Sequence, residues 1–244
     1  LVNDIFLGNV TYFNRLDERS AFAASLKVFS LGDIEFVDVL PNGDLTNELT
    51  QRPNELTIDA SYALRLTDQF AMSVAMRYLR SDLKLDTGNN DTAAANTFGV
   101  DISGFYQSEE EAYNDFNGRW RMGFAIQNIG PKFKYDEGGQ ENFQPTMLRL
   151  GTGFDFIFDD YNKIAVTAEI GKLLVPTPPI YGFVDSNGDG VQTKDNSNTP
   201  DVNEDEPTII VEGKDPDVSF LSGMFQSFGD APGGFSEELK EFTW

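Results

Sequence analysis

Three side chains with the spacing of calcium ligands lie in an acidic stretch near residue 185. Asp185, Asn187 and Asp189 alternate with small residues and precede Gly190, as in the first half of a calcium-binding loop. Carboxylate and amide oxygens two residues apart can converge on a hard cation, and the glycine permits the sharp turn. The twelfth position, where such a loop places a bidentate Glu, is Asn196. The residues therefore predict either a calcium site at Asp185, Asn187 and Asp189 or a plain polar turn.

A second candidate site is an apolar stripe that follows the acidic stretch. Its members recur at helical spacing, with Asp217 as the predicted N-cap and Gly229 as the predicted end of the helix. Large apolar residues in an otherwise polar connection either pack as a lid or bind another protein, and the sequence leaves both interpretations open. The stripe consists of Val218, Phe220, Leu221, Met224, Phe225 and Phe228.

The composition removes the commonest catalytic groups. The 244 residues include no His and no Cys, which excludes His-dependent hydrolysis, thiolate metal sites and disulfides. The net charge of −22 argues against nucleic acid as a partner, because phosphate binding requires clustered Lys and Arg. No nucleophile, base and orienting group can be assembled from the motifs, so we predict no catalytic residues.

The elements that carry these side chains have the period of β-strands. From Leu56 to Leu66 apolar residues occupy every even position, with mostly polar or small residues between them. Successive side chains of a strand point to opposite faces, so this segment has one apolar and one polar face. A series of such strands of about ten residues is typical of a transmembrane β-barrel. The predicted strands are 4–13, 20–30, 56–66, 70–80, 96–107, 118–128, 146–158 and 163–173, with another beginning near Leu239.

Short and long connections alternate along the predicted sheet. The links at 67–69 and 159–162 are the shortest, and antiparallel alternation places both at the same end. Bacterial barrels have short periplasmic turns and long extracellular loops, so we predict residues 174–238 as a long extracellular loop that contains a short helix. An odd number of strands does not complete a bacterial barrel. We therefore expect residues 1–244 to be a single β-barrel domain that is incomplete at both ends.

Charged residues of both signs fall on the polar face. Their balance favours a network of ion pairs in the lumen over an anion-selective pore. A soluble lipocalin-like barrel is the alternative fold, but it would need short hairpins throughout, which the long acidic connection contradicts. The basic members of this expected network are Arg65, Arg77, Arg119, Arg121 and Arg149, and their possible partners are Asp59, Asp101, Asp155 and Glu169.

Four segments of the chain resemble the PorV (LptO) family, the FadL-like outer-membrane barrels of the type IX secretion system. They are residues 3–8, 30–34, 127–130 and, most specifically, 229–238, which reads Gly-Asp-Ala-Pro-Gly-Gly-Phe-Ser-Glu-Glu. The resemblance implies an all-β fold, a transmembrane antiparallel barrel of about 14 strands, of which about nine are represented here. It also implies a location in the bacterial outer membrane.

The same resemblance implies a function without catalysis and without a cofactor. Such proteins act as shuttles that collect secreted cargo, by its C-terminal signal domain, at the translocon barrel SprA (Sov). They then deliver the cargo to the attachment complex that contains PorU. The implied partners are the translocon, cargo signal domains, the PorU complex and outer-membrane lipid. We infer residues 218–228 as the candidate contact from the apolar stripe alone.

Two alternatives belong to other functional classes. A FadL-like transporter of hydrophobic small molecules would need a continuous apolar path through the lumen, where the strand pattern places Arg, Asp, Thr and Gly. A lipid A deacylase, which the LptO name suggests, would rely on a Ser–His pair, and the chain contains no His. A fatty acid bound deep inside the barrel would favour the transporter.

Overall fold

A computed structural model describes residues 5–39, 45–82, 94–134, 140–184 and 208–244. The chain divides into two compact units, Leu1–Lys172 together with Trp244, and Leu173–Thr243. Strands dominate the regular structure, and they pair in antiparallel fashion. Among the described residues, no helix is long and apolar enough to cross a membrane.

The first unit is a meander in which each strand pairs with the next long strand along the chain. The sheet order is β1-β2-β5-β6-β7-β9-β10-β11, with β8 paired beside β9, and β3 and β4 form a separate hairpin. No described strand pairs with the free edge of β1, so the sheet is open there. The strands are β1 (Phe6–Arg15), β2 (Ser20–Ser30), β3 (Ile34–Val39), β4 (Leu45–Gln51), β5 (Asn54–Arg65), β6 (Phe70–Asp82), β7 (Ala95–Gln107), β8 (Glu111–Ala112), β9 (Asn117–Ile129), β10 (Met147–Ile157) and β11 (Lys163–Leu173).

The second unit combines a hairpin with two short helices. Strand β12 pairs with β13, and the helices follow in the sequence. The residues between the two strands lie largely outside the described part of the chain. The elements are β12 (Ile180–Phe183), β13 (Thr208–Glu212), α1 (Phe220–Gln226), α2 (Phe235–Glu238), a 3₁₀ turn (Leu239–Glu241) and β14 (Phe242–Thr243).

The eight long strands predicted from period-two alternation are confirmed, with ends that shift by at most two residues. Three of the short links between them are closed by the same kind of side-chain hydrogen bond. Asp17, Thr67 and Asp159 each accept hydrogen bonds from backbone N–H groups two and three residues ahead, at 2.7–3.3 Å. Hydrogen bonds from Ser20 and from Asn162 hold the pKa values of Asp17 and Asp159 below their usual range. Side-chain acceptors of this kind close tight turns without glycine.

Exposure in the sheet is reversed relative to a water-soluble protein. Val10, Met76 and Val166 expose 71%, 61% and 57% of their surface, whereas Asp155 exposes 1%. Ala95 and Leu174 are the buried hydrophobic side chains among the described residues. Because soluble proteins bury apolar side chains and expose charges, this sheet has the distribution of one whose apolar face meets a nonaqueous environment.

Candidate functional site

The predicted apolar stripe lies on and beside helix α1, but its N-cap differs from the prediction. Ser219 caps the helix, because its hydroxyl oxygen accepts a hydrogen bond from the Ser222 N–H at 3.3 Å. The predicted cap, Asp217, is wrong: this residue precedes the helix, and its N–H donates to the Asp215 carboxylate at 2.9 Å. The hydroxyl of Ser219 satisfies one of the N–H groups that the first turn leaves unpaired.

The helix also ends earlier than predicted. It stops at Gln226, and Ser227 retains a right-handed helical conformation while its N–H bonds to the Gly223 carbonyl at 3.0 Å. Gly229, the predicted terminator, is not among the left-handed glycines of the described residues. Its N–H instead bonds to the Gln226 carbonyl at 3.0 Å, so a further hydrogen-bonded turn ends the helix.

The six stripe residues divide into two sets. One set is half-buried, and the other is exposed, at spacings of four and three residues that place its members along one side of the helical segment. Phe225 is the most exposed of the six, at 77%. The half-buried set is Val218, Phe220 and Met224, and the exposed set is Leu221, Phe225 and Phe228.

Polar contacts lie on the other side of α1 from the exposed residues. Ser227 is fully buried, and its hydroxyl donates to the Met224 carbonyl at 2.8 Å. The Gln226 amide donates to the Asp215 carbonyl at 2.9 Å and connects the end of the helix to the segment before it. The exposed set, Leu221, Phe225 and Phe228, therefore lies on the side of the helical segment away from these polar contacts.

Asp230, which sequence reasoning did not single out, is the buried anchor behind the helices. It is 2% exposed, and its Oδ2 atom accepts the Thr177 N–H at 3.1 Å. Its Oδ1 atom is buried without a hydrogen-bond partner. Burial raises the pKa of Asp230, and the nearby carboxylates of Glu238 and Glu241 raise it further, against the lowering effect of the Thr177 hydrogen bonds. Only the fold brings Thr177 to this position, since it lies 53 residues from Asp230 in sequence.

On the polar face of the sheet, Arg77 joins several strands. Its Nε lies 2.5 Å from Asp59 and its Nη2 lies 3.2 Å from Asp101, while its Nη1 donates to the Asn128 side-chain oxygen. Asp59 also accepts the Ser25 hydroxyl at 2.9 Å. The network connects β2, β5, β6, β7 and β9. It agrees with the expected network of ion pairs, in which Asp59 and Asp101 are among the possible partners of the arginines.

The other predicted arginines differ in their partners. Arg121 pairs with Asp155 at 2.6 Å, and Arg149 pairs with Glu169 at 2.9 Å, as predicted. Two further arginines depart from the prediction, because they contact residues in the connections between strands and not the predicted acidic residues. Arg119 pairs with Glu110, and Arg65 donates to the Glu18 carbonyl at 3.0 Å.

The segment Gln127–Gly130 forms an irregular end of β9. Asn128 has a φ of 59°, and the β7–β9 register shifts beside it. Its N–H bonds to Asp101 at 2.7 Å, and its carbonyl accepts the Thr146 hydroxyl at 2.8 Å. Asn tolerates this left-handed conformation better than most residues. The bulge aims the Asn128 side chain at the Arg77 network.

The calcium prediction at Asp185, Asn187 and Asp189 lies outside the described residues. Among the residues that are described, no group of three or more acidic side chains is arranged to hold a metal ion. The described residues form an apolar surface on α1 and a polar face on the sheet. These two surfaces supply contacts for binding and packing.

A family model described as "Type IX secretion system protein PorV" matches residues 1–180, about three quarters of the chain. The chain belongs to the PorV family. Its membership identifies it as a type IX secretion system protein, and the antiparallel all-β fold agrees with that assignment. A search of curated proteins found no match. The PorV match ends before α1, so the apolar stripe at 218–228 lies beyond the matched residues.

Proposed function

We propose that this PorV-family protein is a non-enzymatic outer-membrane shuttle of type IX secretion. It binds the C-terminal signal domain of secreted cargo at the translocon barrel SprA and passes the cargo to the attachment complex that contains PorU. The sheet spans the outer membrane with its apolar face toward lipid, and residues 174–238 face the exterior. The exposed set, Leu221, Phe225 and Phe228, contacts the translocon or its cargo.

The observation that carries the proposal is an exposed aromatic surface in a type IX family member. Phe225 exposes 77% of its surface on a helix whose opposite side carries the buried Ser227 and the Gln226 amide, which bonds to the Asp215 carbonyl at 2.9 Å. Holding an aromatic side chain in water has no benefit to the fold itself, so burial against a partner is the reason we infer for it. Phe235 of α2, also 77% exposed, extends the apolar surface available in this unit.

The test replaces the exposed set while sparing the half-buried set. In the full protein expressed in its native outer membrane, the triple variant L221S/F225S/F228S is compared with the parent by pull-down in mild detergent. We expect recovery of translocon and cargo to fall by about tenfold or more, since losing two aromatic anchors costs at least 1.4 kcal/mol. Barrel insertion should be unchanged, as judged by heat-modifiable migration on gels.

Tyr161 provides the matched control. It is 94% exposed in the short link between β10 and β11, which the proposal places on the periplasmic side. Tyr161→Ser removes an aromatic residue that is more exposed than any member of the exposed set, and recovery of the partners should remain at the parental level. Full recovery with the triple variant would refute this surface as the contact, and equal losses in both variants would indicate a nonspecific effect.

The transporter alternative makes a different prediction about the polar face. Its substrate path would have to pass the Arg77 and Arg121 ion pairs, which offer charged groups and no apolar corridor. A fatty acid that copurifies with the protein and protects lumen residues from modification would favour transport over the shuttle. The pull-down and this lipid measurement can be made on the same preparation.

A further inference from the structure

A groove lies on the apolar face of strands β9, β10 and β11. Its volume is about 440 Å³, within the range of sites that hold small ligands. All of its lining residues belong to the first unit. They are Tyr113, Trp120, Thr152, Gly153, Phe154, Phe156, Val166, Thr167 and Ala168.

Aromatic rings build one wall of the groove. The ring centroids of Trp120 and Phe154 lie 4.8 Å apart, and those of Phe154 and Phe156 lie 4.7 Å apart, both edge-to-face. Gly118 makes this stack possible, because a Cβ atom there would collide with the rings of Phe154 and Tyr113. The rings of Phe154 and Tyr113 therefore lie directly against the sheet at Gly118.

Small side chains form the floor. Thr152 and Ala168 are both exposed on the apolar side, between larger neighbours on the same strands. The Thr152 hydroxyl lies 3.5 Å from the Arg121 carbonyl, and no charged side chain lines the groove. A charged ligand could form no ion pair in the groove. Because the lining is almost entirely apolar, the groove suits a flexible hydrocarbon chain.

We propose that this groove binds one acyl chain of a membrane lipid. The inference rests on the proposed orientation, in which the apolar face of the sheet meets lipid. The groove is continuous with that face, since Val166 lies in its lining and is 57% exposed. The edge-to-face rings of Trp120, Phe154 and Phe156 give the groove an aromatic wall, and contact with this wall is what we expect to retain one chain more strongly than the lipid around the rest of the barrel.

The test measures lipid retained by the full protein after extraction in mild detergent and extensive washing. Native mass spectrometry compares the parent with Ala168→Leu and with T152F/A168L, which fill the floor. Ala60→Leu is the matched control, because Ala60 is an exposed alanine on the same face of β5, away from the groove. We expect the parent and the control to retain one lipid, and the lipid-bound fraction to fall at least about tenfold in the double variant.

Several results would overturn the acyl-chain site. The first is that the parent protein retains no lipid. The second is that Ala60→Leu loses as much lipid as the groove variants. The third is that the parent retains a bound polypeptide in place of lipid and the groove variants lose it. Heat-modifiable migration on gels shows whether each variant is folded. If T152F/A168L does not fold, the single variant Ala168→Leu still tests the site. Translocon recovery from the same samples separates the acyl-chain site from the shuttle function. If the groove variants lose lipid but recover the translocon at the parental level, the acyl-chain site is supported and the shuttle proposal is unaffected. A protein absent from the membrane fraction would refute the orientation itself.

Discussion

The sheet and the second unit both expose apolar side chains, but in different patterns. In the sheet, exposed apolar residues recur at every second position and continue across hydrogen-bonded neighbours, as from Val10 through Leu26 to Ile58. In the second unit, Leu221, Phe225 and Phe228 form a local patch on one short helical segment. A continuous band suits a solvent such as lipid, whereas a bounded patch suits one partner.

Buried polar groups differ between the two regions as well. The sheet buries charges that are paired across strands, such as Asp155 with Arg121 and Lys163. The second unit buries Asp230, with one carboxylate oxygen unpartnered and with acidic residues nearby. Paired charges connect neighbouring strands, whereas a buried acid surrounded by acids makes local stability depend on the protonation of that acid.

The largest expected effect comes from breaking the buried pair in the sheet. Arg121→Ala leaves the buried Asp155 carboxylate with only the half-exposed Lys163 as a charged partner, and we expect it to lower the free energy of unfolding by about 3 kcal/mol. Glu169→Ala, which removes the exposed partner of Arg149, should change it by less than about 1 kcal/mol. Urea unfolding in micelles measures both, and equal losses would contradict the assigned difference in burial.

A second prediction concerns the close approach of strands at the end of β9. Gly130→Ala would push a methyl group into the Phe98 carbonyl and the Gln144 amide, which bonds to Thr97 at 2.7 Å. We expect a loss of about 2 kcal/mol from this overpacking. Gly151→Ala is the control, since a Cβ there meets only the Ala168 carbonyl at 3.7 Å. The same unfolding assay should show little change for the control.

The third prediction tests the cap of the patch-bearing helix. Ser219→Ala should destabilise α1 by about 1 kcal/mol, because the Ser222 N–H loses its acceptor. Ser219→Asp preserves a cap and should restore protection. Hydrogen exchange of the α1 amides measures both variants, and unchanged exchange in Ser219→Ala would show that the cap does not limit the opening of this helix.

The smallest and most graded effect is the pH dependence of the second unit. Since the folded-state pKa of Asp230 lies above its unfolded value of 3.8, the folded form binds protons more tightly. Stability should therefore be greatest at low pH and should fall as pH rises from about that value through the raised pKa. Protection of the Thr177 amide, corrected for intrinsic exchange, should follow this course. Asp230→Asn should abolish the dependence, and a pH-independent parent would contradict it.

Strand positions were predictable because period two is a local property. The segment 56–66 was predicted and 54–65 is observed, and the partners of Arg77 followed from its placement on the polar face. The helix in the second unit was predictable for the same reason, from the spacing of its apolar residues. Its cap was not, because Asp217 and Ser219 are both acceptable N-cap residues and local geometry chose between them.

The sequence by itself determined which side chains of each strand form the apolar face. It also indicated, by its resemblance to the PorV family, that the sheet belongs to a type IX secretion protein. Only the tertiary structure decided where distant polar groups meet. Asn128 reaches Arg77 through a bulge, and Asp230 is buried against Thr177, 53 positions away in sequence. Alternation is encoded residue by residue, whereas burial and hydrogen bonding depend on which segments the folded chain brings together.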